Sequence, residues 1–290
     1  MSLPRRSFLI GSTLIISGVS TSESTAVTAP KPPKLSIGLI TDLHYADKPA
    51  SGTRHYRESS AKIEEAINTF RENEIEIAVE LGDLIDAADD VATEKGYLRK
   101  INQKFEAVSP HRHYVLGNHC VDTLTKEEFL GEVGQQKSYY SFDSNDHHFI
   151  ILDSCFKSDG TPYRRKNFKW TDANIPEHEL DWLREDLKQN SAPTFVFAHQ
   201  RLDVPTNHGV RNQREVRTIL EQAGCVRGVF QGHSHQNDLK WINQIPYCTC
   251  VAMVEGSGED QNAYSILDLY EDQTIRLRGF RKQASPALMG

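Results

Sequence analysis

Residues able to do chemistry stand in this 290-residue chain wherever a short apolar run stops. KLSIGLI runs into TDLH, which places Asp42 and His44 two apart, and IAVELG runs into Asp83. YVLG runs into Asn118 and His119, TFVFA into His199, and RGVFQG into His233 and His235. Carboxylate and amide oxygens together with several neutral imidazole nitrogens form a ligand set for borderline divalent ions such as Mn, Fe or Zn. The set is too large for one four-coordinate ion, whereas two ions sharing a carboxylate would use all of it. Gly82, Gly117 and Gly232 directly precede three of these polar groups. A residue without Cβ there permits a sharp turn or close backbone approach that aims the next side chain into a shared pocket.

The apolar runs themselves read as buried strands over Lys34–Ile40, Glu76–Asp83, His113–His119, His147–Asp153, Thr194–Gln200 and Arg227–His233. They are rich in β-branched and aromatic residues and bounded by polar or glycine positions. Between them lie helical patterns. Arg57–Asn73 puts Ile63, Ile67 and Phe70 on one face, and Pro176–Asn190 aligns Leu180, Leu183 and Leu187 behind a proline suited to a first turn. Asn212–Gly224 repeats the pattern and stops at glycine. After Lys240 the sequence becomes strand upon strand, in IPYCTCVAMV, AYSILDLY and TIRLRGF. Early alternation and late strands imply an α/β fold of two packed sheets with helices outside. In such folds the strand ends are where sites form.

Composition restricts the function. Hydrophobic content of 38% and charged content of 25% fit a soluble globular protein. A net charge of −7 argues against nucleic-acid binding, while bound metal could still reverse the local sign for an anionic substrate. The five cysteines are an odd number without framework spacing and read as packed residues. Residues 1–29 carry Arg5 and Arg6, then an apolar stretch from Phe8 to Val19, then small residues. That stretch is too short for a stable membrane span and fits an export signal, with cleavage after Ala26 or Ala29. RRSFL resembles a twin-arginine signal, with Pro4 where Ser or Thr is usual, and implies export to a bacterial periplasm or beyond. The expected organisation is signal 1–29, short linker 30–34 and a single domain over 35–285.

The ordered set DxH, GD, GNH, a strand-end His and GHxH resembles the calcineurin-like metallophosphoesterases over roughly Leu35 to Arg281. The resemblance implies a four-layer α/β/β/α sandwich. It implies that Asp42, His44 and His235 hold one metal, that Asn118, His199 and His233 hold a second, and that Asp83 bridges them. His119 would lie beside the metals, contacting phosphate or protonating the leaving oxygen. Three stretches are similar to the manganese-dependent ADP-ribose/CDP-alcohol diphosphatase subgroup: HYADKPASGTRHYRES, RNQREV, and the segment from Met253 to Phe280. They imply a pyrophosphate link in a small nucleotide diphosphate compound as the substrate. Tyr45, Arg54, Tyr56, Arg57, His208 and Asn212 are candidate substrate contacts, because arginine forks match phosphate and tyrosine can stack or hydrogen-bond. The chain departs from the subgroup in having His44 where Gln is usual and Cys120 where an acid commonly follows GNH. The position three after Asp83 lacks the tyrosine of purple acid phosphatases. An exported phosphomonoesterase and a catalytically silent metal-binding scaffold remain as alternatives.

Overall fold

The computed structural model describes residues 31–289, so the expected export signal lies outside the described residues. Along the chain come β1 (Leu35–Ile40), α1 (Ser59–Glu72), β2 (Ile77–Glu80), α2 (Val91–Phe105), β3 (His111–Tyr114) and α3 (Lys126–Val133). There follow β4 (Tyr140–Ser144), β5 (His147–Ile151), α4 (Glu177–Gln189), β6 (Thr194–Phe197), α5 (Gln213–Ala223) and β7 (Val226–Gln231). The last strands are β8 (Asp238–Ile242), β9 (Ile245–Thr249), β10 (Ala263–Leu269), β11 (Ile275–Arg281) and β12 (Ala287–Met289). They make two six-stranded sheets, ordered β12-β11-β10-β1-β2-β3 and β4-β5-β6-β7-β9-β8. Within the first sheet β1, β2 and β3 run parallel, and within the second β5, β6 and β7 do.

The two-residue period of the strands sorts the side chains into layers. Ile37, Leu39, Ile77 and Val79 meet Phe149, Ile151, Phe195, Phe197 and Phe230 between the sheets. Their neighbours Ile40 and Ala78 point the other way and pack with Ile63, Phe70, Leu98, Ile101 and Phe105 of α1 and α2. On the opposite side Ile150, Val196 and Val229 pack with Leu180, Leu183 and Leu187 of α4 and Val216 and Leu220 of α5. The result is helix, sheet, sheet, helix, the α/β/β/α arrangement expected from the motifs.

Several boundaries differ from the sequence reading. β2 ends at Glu80 rather than Asp83, β3 spans His111–Tyr114 rather than His113–His119, and β6 ends at Phe197 rather than Gln200. In each case the ladder stops where the chain turns toward the site. Pro176 is the N-cap of α4 rather than part of its first turn, and β12 carries the domain past residue 285. The reading missed α2 and α3, although both carry local start signals. Asp90 caps α2 by accepting from the Thr93 N–H, and Thr125 and Glu128 form a reciprocal capping box at α3.

One buried ionic contact ties β5 to α4 away from the site. His148 lies between Asp143 (Nδ1 to Oδ1, 2.6 Å) and Asp186 (Nε2 to Oδ2, 2.8 Å). Burial opposes its protonation, but the Asp186 and Asp143 carboxylates outweigh that and hold its pKa above the ordinary histidine value. Its contribution to stability is therefore complete below the unfolded value of about 6.5 and is lost as pH climbs through the higher folded value. The urea midpoint of His148→Gln should fall below wild type by a gap that is widest near about pH 6 and narrows by about pH 9. An equal gap at both pH values would contradict this account.

Candidate active site

All the motif residues lie just beyond the C-terminal ends of parallel strands, three strands of the first sheet and two of the second. Asp42 and His44 follow β1, Asp83 follows β2, and Asn118 and His119 come after β3. His199 follows β6, while His233 and His235 follow β7. Five of these residues adopt left-handed backbone: Asp42 (φ 51°), His44 (45°), Asp83 (59°), His233 (68°) and His235 (59°). Each costs on the order of 1 kcal/mol or more for a residue with a Cβ. The left-handed step breaks the strand's alternation, so that successive polar side chains turn into one site. Backbone bonds join the loops: the Asp42 N–H donates to Gly82 O (2.9 Å), His44 N–H to Asp83 O (2.8 Å) and Gly232 N–H to His199 O (3.1 Å).

Glycine is required where these loops touch. Gly82 has φ +105°, and a Cβ there would overlap the His199 ring. A Cβ on Gly117 would overlap the Asp83 carboxylate and its backbone nitrogen.

The side chains converge closely. His44 Nε2 lies 3.2 Å from His235 Nε2, 3.6 Å from Asp42 Oδ1 and 3.5 Å from Asp83 Oδ2. His235 Nε2 is 3.3 Å from Asp42 Oδ1, and His199 Nε2 is 3.1 Å from Asp83 Oδ2 without hydrogen-bond alignment. The outer nitrogens are fixed by other groups. His199 Nδ1–H donates to Leu81 O (2.9 Å), and His235 Nδ1 meets Glu255 Oε1 at 2.6 Å. Both inner Nε2 atoms therefore turn toward the site, where they offer lone pairs once deprotonated. Burial disfavours charge on these rings, but Asp83 and Asp42 hold His199 up at about 9, and Asp42 and Glu255 hold His235 there too. Burial and the nearby His199 keep His233 neutral.

These residues fit a pair of divalent cations. Asp42, His44 and His235 bring ligand atoms within 4.8 Å of one another, and so do Asp83, His199 and His233. Asp42 Oδ1, His199 Nε2 and His233 Nε2 are buried without any protein hydrogen-bond partner, which polar atoms avoid unless something else satisfies them. Cations bound there would displace the protons that the carboxylates otherwise hold on His199 and His235. Asn118 is buried beside them, and its Oδ1 accepts from Gln200 Nε2 (3.3 Å).

A third group, His44, Asp86 and His119, is of another kind. Asp86 hydrogen-bonds His119 Nδ1 at 3.2 Å and lies 3.4 Å from His44 Nδ1 without hydrogen-bond alignment, so it orients the His119 ring. Burial works against its ionisation, yet His119 and His44 hold it well below the usual carboxylate range. Asp86 occupies the position where purple acid phosphatases carry tyrosine. Burial likewise opposes charge on His119, but Asp83 and Asp86 raise its pKa. Its backbone N–H donates to Asp83 Oδ1 (2.8 Å), and its side chain stays 21% exposed toward a cavity.

That cavity, about 380 Å³, separates the candidate substrate contacts. Arg54 and His208 line it together with His119 and His233. The other four candidates lie away from it. Tyr45 is buried in the core, edge-on to Tyr97. Tyr56 is buried with Ala46, Ala252 and Val254. Arg57 points to solvent and pairs with Asp47 (2.6 Å). Asn212 precedes α5 and exchanges hydrogen bonds with the Ile175 backbone. Sequence reasoning missed Asp86, Glu255, Phe168 and Trp170. Only Asp86 carried a signal, its place in GDLID.

No family model matches the chain. It is 23% identical over 251 residues to a manganese-dependent ADP-ribose/CDP-alcohol diphosphatase of Oryza sativa, covering 70% of this chain and 78% of that one. It is 26% identical over 223 residues to a 3′,5′-cyclic adenosine monophosphate phosphodiesterase of Haemophilus influenzae, covering 74% of each. A dimetal phosphatase from Danio rerio superposes with a TM-score of 0.77 at 18% identity, over 89% of this chain and all of that one. In fold, motif order and relatives the chain is similar to the calcineurin-like metallophosphoesterases, and the relatives it matches are named as phosphoric ester hydrolases. Within that superfamily it is similar to the manganese-dependent ADP-ribose/CDP-alcohol diphosphatases.

The packing at Gly117 yields a direct test. Gly117→Ala should displace Asp83 and remove most of the bound manganese while leaving far-ultraviolet circular dichroism unchanged. Full metal content in that variant would show that the close approach is dispensable.

Proposed function

We propose that Asp42, His44 and His235 hold one manganese ion, that Asn118, His199 and His233 hold a second, and that Asp83 is shared. The reaction is hydrolysis of the pyrophosphate link in a nucleotide diphosphate compound such as ADP-ribose or a CDP-alcohol. The observation that carries this reading is the pair of donor clusters with unpartnered buried atoms beside a cavity holding His119 and Arg54. When bound, two divalent ions neutralise phosphoryl charge and lower the pKa of the attacking water.

The chain's own residues do the rest. Arg54 is carried on a short hairpin-like turn bridged to Ser51 and Glu255, so its guanidinium is placed at the cavity wall to fork onto phosphate oxygens. His119, held through Nδ1 by Asp86, presents Nε2 to the cavity and hands its proton to the departing oxygen. Asp86 stabilises the charged ring before transfer, and Lys48 Nζ lies 3.1 Å from its carboxylate.

On manganese-loaded protein, ADP-ribose and CDP-choline should be cleaved in preference to simple aryl diesters and monoesters. His119→Ala should lose about 10²- to 10⁴-fold in kcat with metal content intact. Preference for the aryl monoester would replace the diphosphatase reading with a phosphomonoesterase. No turnover with metal bound would replace it with a scaffold.

We also propose export through the Arg5–Arg6 signal, supported by the basic, apolar and small-residue order of residues 1–29. Residues 1–30 fused to a folded reporter should carry it across the inner membrane, and replacing both arginines with lysine should stop this. Export unaffected by that change would remove the twin-arginine reading.

A further inference from the structure

The segment joining β5 to α4 adds a wall to the cavity that none of the metal-site motifs uses. It has almost no regular structure, yet it is firmly held. Phe156 and Asn174 bridge its two ends, and the buried Tyr163 hydroxyl donates to Lys169 O (3.0 Å). Arg165 donates to Thr123 O (2.6 Å) and to Glu128 Oε1 (2.7 Å), and the Lys166 N–H donates to Asp122 O.

On this frame sit Phe168 and Trp170, both lining the cavity. The Phe168 ring lies 5.6 Å from His119, and the Trp170 ring lies 5.3 Å from His208 and 6.3 Å from His233. Trp170 is nevertheless 44% exposed, and among the described residues only Trp241 is as large and as open. An indole left uncovered on a well-braced segment, beside a charged site, offers a flat apolar face to a ligand.

We infer that Trp170 and Phe168 form a stacking wall for the nucleobase of the substrate, and that this wall selects nucleoside-bearing phosphates over simple phosphate esters. The inference rests on the phosphoesterase reading of the adjoining site. A quaternary ammonium group, as in choline, fits less well because Arg54 brings positive charge into the same cavity.

The test is calorimetric binding of AMP, ribose 5-phosphate and phosphocholine to manganese-loaded wild type, Trp170→Ala and Phe168→Leu. Base–aromatic stacking predicts that wild type binds AMP roughly 5- to 100-fold tighter than ribose 5-phosphate. Trp170→Ala should remove most of that gap and Phe168→Leu part of it, with ribose 5-phosphate affinity unchanged in both. Equal affinity for the two ligands in wild type would overturn the wall, as would a gap that survives undiminished in both variants. So would a Trp170-dependent gain for phosphocholine alone. Ribose 5-phosphate that binds no better with manganese than without would overturn the phosphoesterase reading, and the wall with it.

Discussion

Asp42 and Asp83 are carboxylates with essentially no solvent exposure, and both lie within 3.6 Å of His44 Nε2. Two unit charges about 4 Å apart repel by roughly 4 kcal/mol even at an effective dielectric constant of about 20. The surroundings answer that charge. The His233 N–H and the Thr41 hydroxyl donate to Asp42 Oδ2 (3.0 and 2.7 Å), and the His119 N–H donates to Asp83 Oδ1. Imidazoles crowd the remaining oxygens. Beneath them Glu80 is fully buried, and burial together with Asp83 and Asp42 raises its pKa far enough to keep it neutral. The fold therefore keeps one more buried carboxyl beneath the site uncharged. Where the ligating imidazoles give up their protons, two cations would supply the positive charge that balances the carboxylates.

Only a particular topology brings such groups together. Parallel strands β1, β2 and β3 of one sheet and β6 and β7 of the other deliver their polar successors to the same edge, and sheet-on-sheet packing sets the two edges side by side. Asp42 from the first sheet can then accept from His233 of the second, 191 residues away. The phenylalanine-rich layer between the sheets is thus part of the site, because it sets the distance between the two groups of ligands. The left-handed turns store strain at the strand ends, and the loop-to-loop backbone bonds hold it there.

Much of this is legible in the sequence because the signals are local. An apolar run followed by glycine and a ligand can be read without knowing the partner strand, and so the seven donors and His119 stand out. α2 is harder to see because its buried Leu98, Ile101 and Phe105 are diluted by charged residues on the open face. The placement of Tyr45 and Tyr56 away from the cavity is hidden for a different reason. Whether the chain after β1 points Tyr45 and Tyr56 into the cavity or the core depends on packing with Tyr97 and Val254, which local spacing does not encode. Phe168 and Trp170 lie in a segment without periodicity, where no pattern separates a wall residue from a surface one.

His44 shows how a single departure from the related subgroup alters the site. A glutamine offers one amide oxygen as a ligand. An imidazole has two nitrogens on opposite sides, and here Nε2 joins the Asp42–His235 cluster while Nδ1 lies 3.4 Å from Asp86. Asp86 also holds His119, so one carboxylate links a candidate metal ligand to the candidate proton donor. Lys48 Nζ at 3.1 Å and Arg54 at 3.8 Å add positive charge beside the same carboxylate. Asp86 is therefore the point at which the buried ligand cluster and the cavity histidine meet, and a charge change on either side is felt by the other through it.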